Sequence, residues 1–422
     1  MKRLISISFI FLFFLSYTPL STFNLEQDGR NFDQYQYTLT RDEAEEKICQ
    51  MLQKDPEVAQ FYTLSDDALI VYASEIDKKN NHAEFTLYFG NKEKPVTYFP
   101  LFDNPYRPLK GLRVAIDPGH FGKEYAKIEE KYVDLKPNLS KGIFNPIQFD
   151  EGTLSIITAK NLSKKLENLG ATVFLTRSQP GETVYKEPFD QWRKNNFNQA
   201  IERMVAYQQN PDLQKIEKNW WLTKAKPSEV FKSTYVYVDL ERRAELINAF
   251  KPHITISCHY NLGGIYDKEG QTPGTDDDYS LFFVPGAFKK GSTKHEAFCQ
   301  QSLKSPRSRY EFIRLLVTND LEDSIDLALI CQKHCNKKLK LPTGDHCNYL
   351  KVLCLKDSPG IYHRNLTLPR LVHSPFLYPE PLCQDNYENA KSLDQNPNII
   401  IDKMVTVYTK AILEWAERKS LP

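Results

Sequence analysis

The chain has 422 residues, of which 41% are hydrophobic and 26% are charged, and its formal net charge is +1. This length and apolar content are sufficient for two domains with a sizeable core. The balanced charge lacks the concentrated basic surface of nucleic-acid binders, so we expect no nucleic-acid partner.

The N-terminus has the features of an export signal. Lys2-Arg3 precedes an apolar run from Leu4 to Leu15, which is typical of the charged and apolar regions of a secretory signal. The run is too short to span a bilayer comfortably, and residues 16–23 contain no Ala-x-Ala cleavage pattern. Residues 1–22 are therefore a signal peptide or an uncleaved N-terminal anchor. In either case we expect an exported protein of the periplasm or cell envelope, with membrane contact only through an uncleaved segment.

Residues 30–105 are predicted to form a small α+β accessory domain. A capping pattern at Thr40-Arg-Asp-Glu43 introduces a helical segment, and three short apolar segments between residues 61 and 89 are typical of strands separated by polar turns. Pro100 to Leu109 contains three prolines and is the expected linker.

The stretch from Leu112 to His120 is the first candidate for chemistry. Branched apolar residues followed by Asp117-Pro-Gly indicate a buried parallel strand that ends in a tight turn. Ligands bind at the carboxyl ends of strands in open α/β sheets, so His120 is a candidate metal ligand there. The alternative is a turn histidine without a ligand.

Two later stretches supply further candidates. Glu151 lies in the first turn of a predicted helix that runs to Leu166, where an acidic residue also favours the helix dipole. Residues Ile254 to Asn261 indicate a strand that ends at His259. Two histidines and a glutamate from three separate elements form a three-ligand set with a fourth position open, as in catalytic zinc sites.

Five motifs together resemble the zinc-dependent N-acetylmuramoyl-L-alanine amidases of bacterial cell walls, the Amidase_3 family. The motifs are Val114–His120, Glu151 at a helix start, Gly170–Arg177, Leu240–Asn248 and Ile256–Asn261. The resemblance covers residues 111–420, with insertions at 121–150 and 178–238. It implies an α/β fold with a mostly parallel sheet flanked by helices, which the small α+β domain precedes.

The resemblance also implies the site and the substrate. His120, Glu151 and His259 would be the ligands of Zn²⁺, and peptidoglycan would be hydrolysed at the amide between N-acetylmuramic acid and L-alanine. In some members an added helical segment covers the zinc until a partner binds. Residues 178–238 are a candidate for such a segment, which would imply an activator protein, and core packing is the alternative. From its location alone, we hypothesise that the first domain positions the enzyme or binds wall glycan.

The chain departs from the family pattern near its end. The family has an apolar-Leu-Val-Glu strand that supplies the general base, whereas this chain has Arg370-Leu-Val-His373. His373 is then a candidate base, since a neutral imidazole has a pKa of about 6.5 and can accept a proton. Glu380 is the second candidate. The third reading is an inactive site in an amidase-like protein that binds peptidoglycan or a division partner.

The eight cysteines are even in number, and an exported protein can oxidise them. We expect a disulfide among the last five, although the sequence does not give the pairing.

Overall fold

The computed structural model describes residues 24–95, 104–206, 210–264, 266–267, 272–289, 302–344, 353–356 and 358–420. The predicted signal peptide or anchor at residues 1–22 lies outside these ranges. Within them, none of the helices combines the length and the apolar character needed to cross a membrane.

The N-terminal part is a small α+β unit, as predicted. Its sheet is antiparallel, in the order β1 (Tyr62–Leu64), β2 (Ala68–Val71) and β3 (Phe85–Tyr88). The helices around it are α1 (Leu25–Asp28), α2 (Arg41–Lys47) and α3 (Glu75–Lys79), with 3-10 turns at Gly29–Tyr35 and Pro56–Phe61. Thr40 and Glu43 form the predicted capping box at the start of α2.

This unit packs closely against the rest of the chain. The buried ammonium of Lys47 lies 2.6 Å from Glu322 Oε1 and 2.7 Å from the carbonyl oxygen of Leu316. Arg309 pairs with Glu84 at 2.9 Å, and the backbone N–H of Phe288 donates to Leu52. The apolar side chains of the unit also belong to the main hydrophobic core. The shared apolar core indicates a fixed attachment of this unit to the rest of the chain.

A seven-stranded mixed sheet forms the centre of the molecule, in the order β10-β11-β9-β12-β8-β4-β7. Its strands are β4 (Arg113–Pro118), β7 (Thr172–Leu175), β8 (Ile254–Cys258), β9 (Leu281–Val284), β10 (Leu353–Cys354), β11 (Ile361–His363) and β12 (Phe376–Glu380). Four neighbouring pairs are parallel, whereas β10 with β11 and β12 with β9 are antiparallel. The predicted fold is confirmed.

Helices cover both faces of this sheet. Val114 and Ile116 of β4 pack into the core with α5 (Glu151–Asn168), α11 (Asp320–Leu339) and α14 (Asn398–Lys419), whereas Ala115 faces α9 (Val236–Phe250). This alternation follows from the two-residue period of a strand, and it explains why β4 is apolar on both faces. Further helices in the described part of the chain are α4 (Ala126–Glu129), α10 (Pro306–Val317), α12 (Thr367–Leu371) and α13 (Tyr387–Gln395).

The two predicted insertions have structure of their own. Residues 121–150 contain an antiparallel pair, β5 (Tyr132–Leu135) and β6 (Ile147–Asp150). Residues 178–238 are mainly helical, with α6 (Phe189–Val205), α7 (Pro211–Thr223), α8 (Pro227–Val230) and a π-helical turn at Phe231–Tyr235. Their aromatic side chains form a separate core that includes Trp192, Trp221 and Phe121. The second insertion is therefore packed through Phe121, the residue after His120.

We expect Trp192→Ala to lower the free energy of unfolding by about 3–5 kcal/mol, because it empties a buried aromatic core. Ile216→Ala in the same insertion is the matched control, since Ile216 is 65% exposed and its loss should cost about 0.5 kcal/mol or less. Urea unfolding of both variants measures the difference. Equal stability of the two would contradict a packed insertion.

Candidate metal centre

Two adjacent parallel strands bring His120 and His259 together. Pro118 at the end of β4 is paired with Cys258 at the end of β8, so the residues that follow meet at the same edge of the sheet. A Cβ atom on Gly119 would lie 2.3 Å from Cε1 of His259, which no real side chain tolerates. Glycine between the strand and His120 is therefore required for the approach of the second imidazole.

The third side chain comes from the first turn of α5. Asp150 caps this helix by accepting a hydrogen bond from Thr153 N at 2.6 Å, which fixes where the helix begins. Glu151 Oε1 lies 3.4 Å from His120 Nε2 and 3.2 Å from His259 Nδ1. One ligand atom from each residue lies within 4.8 Å of the others, and no second such group occurs among the described residues. These three side chains can hold a metal ion.

The charges of the cluster suit a cation. Burial alone would lower the pKa of His120, but the negative charges of Glu151 and Glu129 outweigh it and raise the pKa to about 9. Burial lowers the pKa of His259 to about 4 despite its hydrogen bond with Glu151. Burial acts upward on Glu151, yet the charge of His120 holds the pKa of that carboxyl well below its usual range. A cation bound to all three side chains would take the place of the proton on His120 Nε2.

Glu129, at the end of α4, orients His120 from outside the cluster. Its Oε1 lies 2.8 Å from His120 Nδ1, and its Oε2 accepts from the backbone N–H of Phe121 at 3.0 Å. This bond leaves Nε2 of His120 directed at Glu151. A carboxylate on the far nitrogen fixes the tautomer of a metal-binding histidine and raises its basicity. The sequence had indicated only an insertion at residues 121–150.

Two buried arginines bind the backbone of the turn before His120. Arg177 and Arg243 both donate to the carbonyl oxygen of Pro118, the latter at 3.4 Å. Arg243 also donates to Asp239 at 2.6 Å and to Asp117 at 3.4 Å. These paired guanidinium groups fix the turn that carries the first ligand.

A cavity of about 240 Å³ opens on the cluster. Its walls away from the histidines are mostly apolar and come from α9, α12 and the second insertion. They include Lys232, Val236, Tyr237, Leu240, Leu366, Leu368 and Pro369. The second insertion therefore forms one side of the approach to the cluster. Its proposed action as a cover that a partner removes stays a prediction.

The structure does not bring His373 to this cluster. His373 lies just before the first residue of β12. His259 follows the last residue of the parallel strand β8, so the two histidines lie at opposite edges of the sheet. Its backbone N–H donates to Asn248, and its Nε2 lies 3.0 Å from Glu311 Oε1. Burial alone would raise the pKa of Glu311, but the charges of His373 and Arg314 outweigh it and hold that pKa at about 2. This placement corrects the prediction that His373 occupies the position of the family's glutamate.

Glu380, by contrast, lies at the same edge as the cluster. Leu377 of β12 is paired with Ile256 of the parallel strand β8, and Glu380 and His259 each follow three residues later. Burial, together with the negative charge of Glu151, raises the pKa of Glu380 to about 7. Its Oε2 is buried without a hydrogen-bond partner in the described part of the chain. A buried carboxylate oxygen with no protein partner is costly, and at Glu380 it lies at the edge of the sheet where the cluster is.

The six described cysteines, Cys49, Cys258, Cys331, Cys335, Cys354 and Cys383, are not in disulfides. Cys299 and Cys347 lie outside the described residues. The expected disulfide is thus not found among the described members of the last five cysteines.

A sequence model of the N-acetylmuramoyl-L-alanine amidase family, Amidase_3, matches residues 114–413. The chain belongs to the Amidase_3 family. The matched range contains the three clustered side chains and Glu380. No protein of curated function matches the sequence.

Several solved amidases are similar at low identity. Ami1 from Mycobacterium smegmatis is 13% identical with a TM-score of 0.40, covering 74% of this chain and 99% of its own. The CwlD amidase from Clostridioides difficile, in complex with the GerS lipoprotein, is 13% identical with a TM-score of 0.37, covering 73% and 99%. AmiC2 of Nostoc punctiforme is 13% identical with a TM-score of 0.35, covering 73% and 98%.

We expect Glu129→Gln to weaken zinc binding by about 10- to 100-fold, because an amide orients His120 less firmly and withdraws the negative charge behind it. Competition of the purified protein against a zinc-chelating dye measures the dissociation constant. Glu124→Gln is the control, since Glu124 is an exposed carboxylate of the same loop. Identical affinities for all three proteins would contradict the orienting role of Glu129.

Proposed function

We propose that this Amidase_3 protein is a zinc-dependent hydrolase that cleaves the amide between the lactyl group of N-acetylmuramic acid and L-alanine in peptidoglycan. Family membership supports the reaction class. The observation that carries the proposal is the meeting of His120, Glu151 and His259 within 4.8 Å at the edge of the sheet that Glu380 also reaches.

The donor set fits zinc. Two imidazoles and one carboxylate are the ligands of many catalytic zinc sites, in which a fourth position stays open. Burial of Glu151 and His259, and a carboxylate 2.8 Å behind the partly buried His120, add the surroundings that such sites share. A zinc ion held there would acidify a water molecule and polarise the amide carbonyl, which are the two requirements of amide hydrolysis near neutral pH.

Glu380 is the proposed general base. It takes a proton from the attacking water while the new C–O bond forms, and it returns that proton to the amide nitrogen as the C–N bond breaks. A carboxylate at the end of the strand beside the cluster suits this role, because it can accept a proton from the water and return it to the leaving nitrogen. His120, Glu151 and His259 position the reacting groups and need not carry a proton themselves.

The inactive alternative was motivated by a histidine in place of the glutamate. His373 is bound to Glu311 away from the cluster, and Glu380 ends the strand at the cluster. The carboxylate of Glu380 at the cluster therefore supports an active enzyme over the inactive alternative. A different amide as substrate remains the competing proposal, and the enlarged insertions beside the cavity favour it.

We also propose that the protein acts in the cell envelope, because its proposed substrate lies there and its first residues have the pattern of an export signal. A partner that opens the cavity is a further part of this proposal. Both await fractionation of cells and co-purification.

Incubation of the purified protein with peptidoglycan sacculi should release stem peptides with a free N-terminal L-alanine. A chelator should abolish this release, and added zinc should restore it. Mass spectrometry of the soluble products distinguishes the proposed bond from any other amide. Release of no peptide by the zinc-loaded protein would remove the proposal, and release of a different fragment would favour the alternative substrate.

Glu380→Gln should lower kcat by about 10²- to 10⁴-fold with zinc still bound, because the amide keeps the shape of the side chain but cannot accept the proton. His373→Ala is the matched comparison and should leave kcat within about twofold, while it lowers stability by roughly 1 kcal/mol through loss of its bond with Glu311. A fall in kcat for the histidine variant alone would reverse the assignment of the base.

A further inference from the structure

Tyr378 is a polar side chain beside the metal cluster for which the proposed mechanism has not yet given a role. It lies two residues before Glu380 on β12, so strand geometry directs both side chains to the same face. Its hydroxyl oxygen lies 3.0 Å from His259 Nδ1, the nitrogen that faces Glu151. Tyr378 therefore reaches the atoms that are available to a metal.

The orientation of the Tyr378 ring would let its hydroxyl donate to a substrate once a metal ion occupies His259. The rings of Tyr378 and His259 are nearly parallel, at 18°, with centroids 3.9 Å apart. The phenol oxygen thus lies above the imidazole, whereas the lone pair of Nδ1 points along the imidazole plane. Without a metal, the hydroxyl and Nδ1 share a hydrogen bond. A metal ion on Nδ1 would take up that lone pair, and the O–H bond could then turn towards the cavity.

The phenol is also held firmly where a substrate must enter. Tyr378 lines the 240 Å³ cavity, and its ring packs against Phe283 at 5.9 Å in an edge-to-face contact. Ser257 and Arg243 line the same cavity, but each is bonded to Asp117. A fixed donor beside the ligands can stabilise negative charge without reorganisation during the reaction.

We propose that Tyr378 is a further catalytic residue, whose hydroxyl donates a hydrogen bond to the carbonyl oxygen of the scissile amide. The bond strengthens as that oxygen gains negative charge during attack by water, and no proton is transferred. This inference rests on the proposed hydrolase function. It adds a protein donor, next to the metal, for the developing oxyanion.

Tyr378→Phe should lower kcat about 100-fold on muramoyl-peptide substrates, with KM changed less than threefold, because the lost bond acts mainly in the transition state. Zinc affinity should be unchanged. A second readout does not depend on turnover. Calorimetry should show that a muramoyl-L-alanine analogue with a tetrahedral phosphinate in place of the amide binds the zinc-loaded variant at least 10-fold more weakly than the wild-type protein.

Tyr362→Phe is the matched control. Tyr362 also contacts Phe283, with centroids 6.3 Å apart, and its hydroxyl donates to Gly344 away from the cluster. Its kcat and phosphinate affinity should stay within twofold of the wild type. If wild-type protein is active and Tyr378→Phe matches it in both measurements, the inference fails alone. If the variant loses zinc, Tyr378 acts by positioning His259, and the catalytic assignment fails. If the wild-type protein is inactive, the proposed function fails first.

Discussion

The structure depends on the approach of His259 to the backbone at Gly119. Two adjacent parallel strands end there, and only the absence of a side chain lets the second imidazole come beside His120. The start of α5 then adds Glu151, which is buried together with His259, whereas His120 is partly buried. Burial of a carboxylate without a counter-charge is costly, so the three groups are stable together only when a proton or a cation balances them. The fold thus brings three candidate ligands together in a setting that favours positive charge.

The residues around this centre show why the insertions belong to the site. Glu129, from the first insertion, hydrogen-bonds both His120 and the backbone of Phe121. The aromatic core of the second insertion packs on the ring of Phe121, with Tyr235 and Phe231 at centroid distances of 5.9 and 5.4 Å. His120 and Phe121 are therefore held by different insertions. A change in the packing of either insertion would shift the position of His120.

The sequence predicted the parts whose signal is local. A branched apolar run ended by Pro and Gly identified β4 and placed His120, and the alternating pattern before His259 did the same for β8. The position of Glu380 could not be predicted in this way, because Pro375 and Pro379 interrupt the strand pattern. Arg370-Leu-Val-His373 also matched the apolar-Leu-Val-Glu motif more closely. The role of Glu129 follows from tertiary contact alone, since nothing in its neighbourhood along the chain indicates a metal site.

The irregular course of β12 also bears on the proposed reaction. The strand β12 pairs with β8 as far as Leu377, and from Tyr378 onward it pairs with β9. Among the described residues, the segments that follow β8 and β12 are next joined by the bridge between Asn261 and Cys383. Between these points the sheet is open for a few residues. His259 lies on one side of this opening and Glu380 on the other, so their side chains can face a common substrate instead of each other's backbone. Regular pairing of β12 with β8 through this region would close the opening. The prolines that make β12 hard to predict from the sequence therefore also favour the irregular pairing that the proposed reaction needs.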